Sequence, residues 1–359
     1  MIAYAELRRV LAIITAFVVS PAFAAEPPQA QADVTTVRVE DASLPYSSFA
    51  SAEARARFAR LIAETREGRG PDPSDLAEQR RFYQRYNDER LAEVRARYPT
   101  VVREARIGDV PVQIVDPEGG VPARNADRVL INLHGGAFMW GSGSGALVEA
   151  IPVAAAAGMR VIAVDYRLAP EHPYPAAVDD VEAVYRVLLE QYPAANVGLY
   201  GCSAGGMLTA QATARVLQRG LPAPGAVGMF CGTGIAFGGD SATLGQLAVG
   251  AAPMPADGAL RLPYLGTARA DDVVAYPAQS PELLARFPPS LLLAGSRDFA
   301  LSGLTTMQRR LLGAGVDAEL VVFDGLWHAF FVFPELPESQ EAYGLMARFF
   351  EQRLGRKAR

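Results

Sequence analysis

The stretch that most constrains the chain is Gly201-Cys202-Ser203-Ala204-Gly205, with Gly206 behind it. Asn196 to Tyr200 precedes it, a short apolar segment that reads as a buried strand. Met207 to Leu217 follows, rich in helix formers and free of Pro and Gly. A strand, a tight G-x-S-x-G turn and a helix form the setting in which a serine becomes a nucleophile, because the turn lifts its hydroxyl above the sheet edge. Gly201 and Gly205 leave room for neighbouring backbone that side chains would otherwise fill. The N–H of Ala204 opens the helix and points where an oxyanion forms if Ser203 attacks a carbonyl. Alone, the pentapeptide also describes a plain Gly/Ser-rich turn.

The chain has 359 residues, enough for one large α/β domain with an added element, or for two domains. Its net charge is -5 and no Lys/Arg-dense run stands out, which argues against nucleic acid or an anionic membrane surface as partner. Arg8-Arg9, the apolar run Val10 to Val19 and Ala22-Phe23-Ala24 have the form of a secretory signal peptide, residues 1–24, cut after Ala24. That run is too short to span a bilayer, so the expected location is the periplasm or the medium, with no membrane attachment after cleavage. Neither Cys202 nor Cys231 follows the signal, so a lipid on a new N-terminal cysteine is excluded. Both sit in or beside apolar strands and are expected to be buried free thiols.

Residues 25–100 are read as an irregular lead-in followed by two charged helices, over 51–67 and 74–98, that fold over the sheet as a lid. Phe58, Leu61 and Ile62 mark one apolar stripe, and Leu76, Phe82, Tyr83, Tyr86 and Leu91 another; their charges are expected to solvate an outer face. The main sheet-forming domain is read over 101–359. It opens with a hairpin turning at Gly108-Asp109, then alternates apolar strands with helices, which predicts a mostly parallel sheet covered on both faces. The irregular stretch at about 232–288 is too long for a plain loop and reads as an insertion near the site.

Two features strengthen the serine reading. His134-Gly135-Gly136 follows an upstream strand, where glycines let backbone N–H groups approach a carbonyl oxygen. Downstream, Asp298 and His328 each follow a strand, and the chain order Ser203, Asp298, His328 is that of α/β-hydrolases. His328 takes the serine proton in this scheme and Asp298 fixes its tautomer. Asp324 competes for the acid role, but Asp298 lies just beyond a strand end and reaches its partners through the fold. His134 and His172, the other two histidines, are more simply structural. Phe138 and Trp140 follow the glycine turn and Trp327, Phe330 and Phe331 surround His328, so these aromatics are expected to crowd the acyl side of a pocket.

With these residues in view, the chain resembles the bacterial hormone-sensitive-lipase-like group of α/β-hydrolase esterases over about Val101 to Leu354. The carrier of the resemblance is Tyr166-Arg167-Leu168-Ala169-Pro170-Glu171-His172-Pro173, continuing through Pro175-Ala176-Ala177-Val178-Asp179-Asp180. It implies an α/β-hydrolase fold with a helical cap, Ser203 as nucleophile, Asp298 as acid, His328 as base, and Gly135, Gly136 and Ala204 as oxyanion donors. Many members carry Asp where Cys202 stands and Gly where Ala329 stands. The expected activity is hydrolysis of short- to medium-chain esters through an acyl-enzyme, with a small-molecule ester as partner and no metal or organic cofactor. A serine amidase, peptidase or deacetylase on the same fold, or a non-catalytic binding protein, is the alternative. Oligomeric state is left open by the sequence.

Overall fold

The computed structural model describes residues 43–250 and 262–355, and everything below concerns the unit that begins at Tyr46. The expected signal peptide, most of the lead-in, and 251–261 of the expected insertion lie outside the described residues.

The described residues form an eight-stranded sheet in the order β1-β2-β4-β3-β5-β6-β7-β8. Strands β1 (Thr100–Ile107) and β2 (Val110–Pro117) are the expected hairpin, antiparallel and in register from Ile107↔Val110 to Thr100↔Pro117. Gly108 opens their two-residue turn at φ 58°, a conformation that favours glycine. Strand β2 pairs antiparallel with β4 (Arg160–Val164). From there β3 (Val129–Leu133), β5 (Val197–Cys202), β6 (Ala226–Phe230), β7 (Ser290–Gly295) and β8 (Ala318–Phe323) continue in parallel. Every residue of β3, β5, β6 and β7 is buried, as unbroken apolar strands of a doubly covered sheet must be.

The two-residue period of the strands divides the core in two. Ile131, Leu133, Leu199 and Met229 face helices α4 (Ala176–Leu188) and α5 (Ala204–Gln218), with α8 (Leu301–Gly313) on the same side. Leu130, Tyr200, Phe230 and Leu293 face α3 (Ser144–Ala157) and α9 (Pro337–Arg353). Among its described residues, the stretch expected as an insertion contains α6 (Asp240–Ala248), two 3₁₀ turns and the short α7 (Pro281–Leu284).

Helix α1 (Ala52–Arg66) starts at Ser51, whose hydroxyl accepts from Ala54 N, and α2 (Leu76–Arg97) starts at Asp75, which caps Glu78 N. Phe58 packs into the core as expected. The expectation that the charges of these helices only solvate an outer face is corrected at two positions. Arg80 of α2 pairs with Glu171 and donates to the carbonyls of Met139 and Ala169. Arg90 is buried, its guanidinium 3.1 Å from the Tyr86 ring centroid and 4.7 Å from that of Phe333. Planar guanidinium groups stack on rings and carry several donors, so both arginines fasten α2 to the body instead of facing water.

Candidate active site

Ser203 stands at the turn between β5 and α5 with φ 58° and ψ −119°. A non-glycine residue holds that conformation only where its surroundings enforce it. Ser203 N donates to Phe230 O at 2.8 Å. A Cβ at Gly201 would come within 2.6 Å of Gly205 O, and one at Gly205 within 1.7 Å of Leu133 O, so only glycine fits at either position. The turn is tight because β3, β5 and α5 converge on it.

His328 Nε2 lies 2.9 Å from Ser203 Oγ, and His328 Nδ1 lies 2.7 Å from Asp298 Oδ1. The structure thus brings together the three residues read from chain order. Asp298 is fully buried and its Oδ1 also accepts Ala300 N at 2.8 Å. The ring of Phe299 stacks on the imidazole at 4.2 Å. Asp324 is occupied elsewhere: it accepts hydrogen bonds from Ser47 and Ser296, and the Ser47 hydroxyl holds its carboxyl below the usual carboxylate range. Ala329 adopts φ 54° and its N–H reaches Cys231 Sγ at 3.3 Å. That left-handed step explains why glycine suits this position and why alanine is strained there.

His134 and Cys202 are supporting residues. The His134 ring is buried, stacks on Tyr166 at 4.2 Å, and is held below its ordinary pKa by desolvation. Cys202 and Cys231 are buried free thiols as expected, and burial pushes the Cys202 thiol up to about 11. The Tyr166–Asp180 segment braces the site: Tyr166 OH donates to His134 O at 2.7 Å, Arg167 pairs with Asp180, and Tyr174 OH donates to Asp272. His172 lies in that segment, its N–H closing a turn on Leu168 O.

One expected oxyanion donor needs correction. The N–H of Gly135 donates to Glu149 Oε1 at 2.7 Å, so it is committed to a side chain. Among the described residues no hydrogen bond uses the N–H of Gly136, Ala137 or Ala204. Gly136 and Ala137 line the cavity beside Ser203, while Ala204 opens α5. Gly136 sits at φ 112°, where a Cβ would meet Trp140 O at 2.1 Å. Gly136, Ala137 and Ala204 thus keep their N–H groups unpaired among the described residues, whereas Gly135 does not.

Ser203 and His328 open into a cavity of about 600 Å³. Trp140 and Trp327 line it, as expected, and Tyr83 of α2 stacks on Trp140 at 4.3 Å. Phe138, Phe330 and Phe331 do not line it, against expectation. The successive positive φ angles of Gly136, Ala137 and Phe138 turn the chain back, so Phe138 is fully buried against Tyr264 at 4.0 Å. Ala329 does the same after His328, sending Phe330 under the sheet against Phe323. Among the walls that sequence reasoning did not assign to a pocket are Tyr83, Tyr86, Phe299, Phe333 and Glu149. Tyr83 and Tyr86 were visible as an apolar stripe, and Glu149 as the lone charge in an apolar helix. Nothing in the local sequence of Phe333 marks it.

The α/β-hydrolase fold family matches this chain over residues 130–332. An acetyl-hydrolase of Streptomyces hygroscopicus is 32% identical over 241 residues, 65% of this chain and 79% of that protein. The crystal structure of esterase E25 superposes with a TM-score of 0.75 at 28% identity, covering 89% of this chain and 99% of that one. An esterase of the bacterial hormone-sensitive lipase family gives a TM-score of 0.69 at 27% identity, with 84% and 99% covered. Alignments with three curated relatives span 44%, 79% and 82% of those relatives' own lengths.

Proposed function

This chain belongs to the α/β-hydrolase fold family, in the group of bacterial hormone-sensitive-lipase-like esterases, and on that premise we propose that it hydrolyses carboxylic esters through an acyl-enzyme on Ser203. The observation that carries the reading is the unbroken relay from Ser203 Oγ through His328 to Asp298, at 2.9 and 2.7 Å. His328 Nε2 takes the Ser203 proton as Oγ bonds to the carbonyl carbon. The carbonyl electron pair moves onto oxygen, which the N–H groups of Gly136, Ala137 and Ala204 receive. Collapse expels the alcohol, which leaves with the proton from His328. Water then attacks the acyl carbon and gives a proton to His328; as the acyl–Oγ bond breaks, His328 returns that proton to Ser203 Oγ and the acid leaves. Asp298 keeps Nδ1 protonated and steadies the imidazolium at each transfer.

The cavity walls argue for soluble esters with acyl chains of roughly two to eight carbons. Each added methylene gains about 0.8 kcal/mol only while the pocket encloses it. Trp140, Tyr83, Trp327 and Phe333 limit that room, and they do so without the help of Phe138 and Phe330. A p-nitrophenyl ester series is the test. Rates should peak within that range and fall for longer chains. Rates that keep rising through palmitate, or that jump when substrate forms an emulsion, would identify a lipase acting at an interface.

The same reading extends to the outer segments. Leu61 and Thr65 of α1, Tyr83 and Asn87 of α2, and Gln246 of α6 line the cavity, which supports 51–98 and the 232–288 stretch as its cap. No described helix is long and apolar enough to cross a membrane. Export to periplasm or medium rests on residues 1–24, and the mature protein should begin at or near Ala25, because Ala22 and Ala24 supply the small residues read by signal peptidase. Intact-mass measurement on protein from periplasm or medium checks it; a mass retaining Met1, found only in cytoplasm, counts against it.

A further inference from the structure

Helix α3 is apolar apart from one acid, Glu149, which is buried on the side facing the glycine turn. Its Oε1 accepts the Gly135 N–H at 2.7 Å. A Cβ on Gly135 would stand 3.3 Å from that oxygen and 3.5 Å from Ser203 Cβ, so the carboxyl, the turn and Ser203 meet at one point. The turn itself holds three successive positive φ angles, 112° at Gly136, 53° at Ala137 and 61° at Phe138. Such a run persists only where the surroundings over-determine it. Tyr166 OH anchors it at His134 O, and Glu149 anchors it one residue later at Gly135 N.

The second carboxyl oxygen faces the Asn132 amide at 3.4 Å, too long for a good hydrogen bond, while Asn132 Oδ1 is buried with no partner among the described residues. Amide oxygen and nitrogen are told apart only by the network around them. With the Asn132 amide turned over, Oδ1 faces Glu149 Oε2, and a protonated carboxyl donates to it. One neutral acid then serves Asn132 Oδ1 and the Gly135 N–H together.

We propose that Glu149 is a positioning residue for ester hydrolysis: as the neutral acid it holds the Gly135 N–H, and so aims the next two N–H groups, of Gly136 and Ala137, at the carbonyl oxygen of the acyl group on Ser203. The inference rests on the ester-hydrolysis reading above. Ionisation of Glu149 sets an uncompensated negative charge behind the turn, opposing the oxyanion that the turn receives. Burial pushes this carboxyl up to about 8, against the pull of the hydrogen bond it accepts from the Gly135 backbone. The neutral form therefore prevails below about pH 8 and is lost above it. The titratable groups that interact with Glu149 are Tyr166 after β4, Tyr200 and Cys202 on β5, and Tyr343 on α9. Burial keeps all four uncharged, so none of them balances an ionised Glu149. The remaining ionisable side chains lining the cavity are Tyr83, Tyr86, Arg297 and His328.

The experiment is a pair of variants of the full mature protein, assayed for kcat and KM on p-nitrophenyl butyrate between about pH 6 and 9.5. Glu149→Gln copies the neutral acid, with an oxygen for Gly135 and an N–H for Asn132. The parent's kcat should decline above about pH 8, whereas E149Q should not, a difference of about tenfold one pH unit above the midpoint. Glu149→Leu removes the acceptor, and kcat should fall about 10- to 100-fold at neutral pH with KM changed far less. Where E149L fails to fold, E149Q still decides. An E149Q profile that keeps the parent's alkaline decline overturns the proposal, as does folded E149L with the parent's kcat. A parent protein with no ester turnover overturns both readings, whereas an active parent with unresponsive Glu149 variants removes this one alone.

Discussion

Replacing Ser203 by Ala should lower kcat on p-nitrophenyl butyrate by about 10⁶, the scale of loss when a serine nucleophile is removed. The hydroxyl is the atom that bonds to the acyl carbon, and no neighbour can substitute for it. Cys202, the adjacent residue, is buried and its thiol is pushed up to about 11, so thiolate is absent at neutral pH. The fold should survive, because Ala has the same Cβ, and Ser203 N still donates to Phe230 O. What is lost is the single contact from Oγ to His328 Nε2 at 2.9 Å. The checks are steady-state kinetics beside a thermal melt. Substantial turnover in folded S203A means that the acyl group is carried elsewhere.

Asp298→Asn should lower kcat by about 10⁴ while leaving a folded protein. The Asn side-chain oxygen can keep the Ala300 N–H bond now made by Asp298 Oδ1. Being neutral, the Asn side chain cannot balance the imidazolium that follows, and its amide NH2, turned toward His328 Nδ1, imposes the tautomer in which Nε2 no longer accepts from Ser203. The full burial of Asp298 makes that loss severe, since its charge is weakly screened where it faces the imidazole. Asp324→Asn is the matched control. Its carboxyl serves Ser47 and Ser296, so its replacement should change kcat by a few-fold at most. Kinetics of both variants decide the acid: if D324N is the more damaging, Asp298 has been given the wrong role.

The site was legible in sequence to the extent that local chemistry defines it. Gly201 and Gly205 marked the turn, since backbone from β3 and α5 fills the space where their side chains would be. Asp298 and His328 followed from strand ends, because a parallel sheet presents those ends along one edge. The hairpin at Gly108 followed from a two-residue turn between alternating strands. Where reading failed, the chain changes direction without a signal. Ala137, Phe138 and Ala329 take positive φ although none is glycine, asparagine or aspartate. Ala137 and Phe138 turn the Phe138 ring, and Ala329 turns Phe330, away from the cavity into the core. Gly135 was misassigned for a different reason. Its N–H is claimed by Glu149, a residue 14 positions away on a helix whose orientation the local sequence does not set. Arg80 and Arg90 resemble surface charges in a helical pattern, and only the packing of α2 reveals their stacking and pairing. Periodicity reports which face is apolar, not which charge is fastened.

The central claim is that the acyl group is carried on Ser203, and covalent labelling tests it without knowledge of the natural ester. A p-nitrophenyl phosphonate loses p-nitrophenol to a serine nucleophile activated by its histidine and leaves a stable phosphonyl ester. Intact mass should show one adduct on the parent protein and none on S203A. Peptide mapping should then place that adduct on the segment containing Gly201-Cys202-Ser203-Ala204-Gly205. An adduct on another residue, or equal labelling of parent and S203A, would contradict the account.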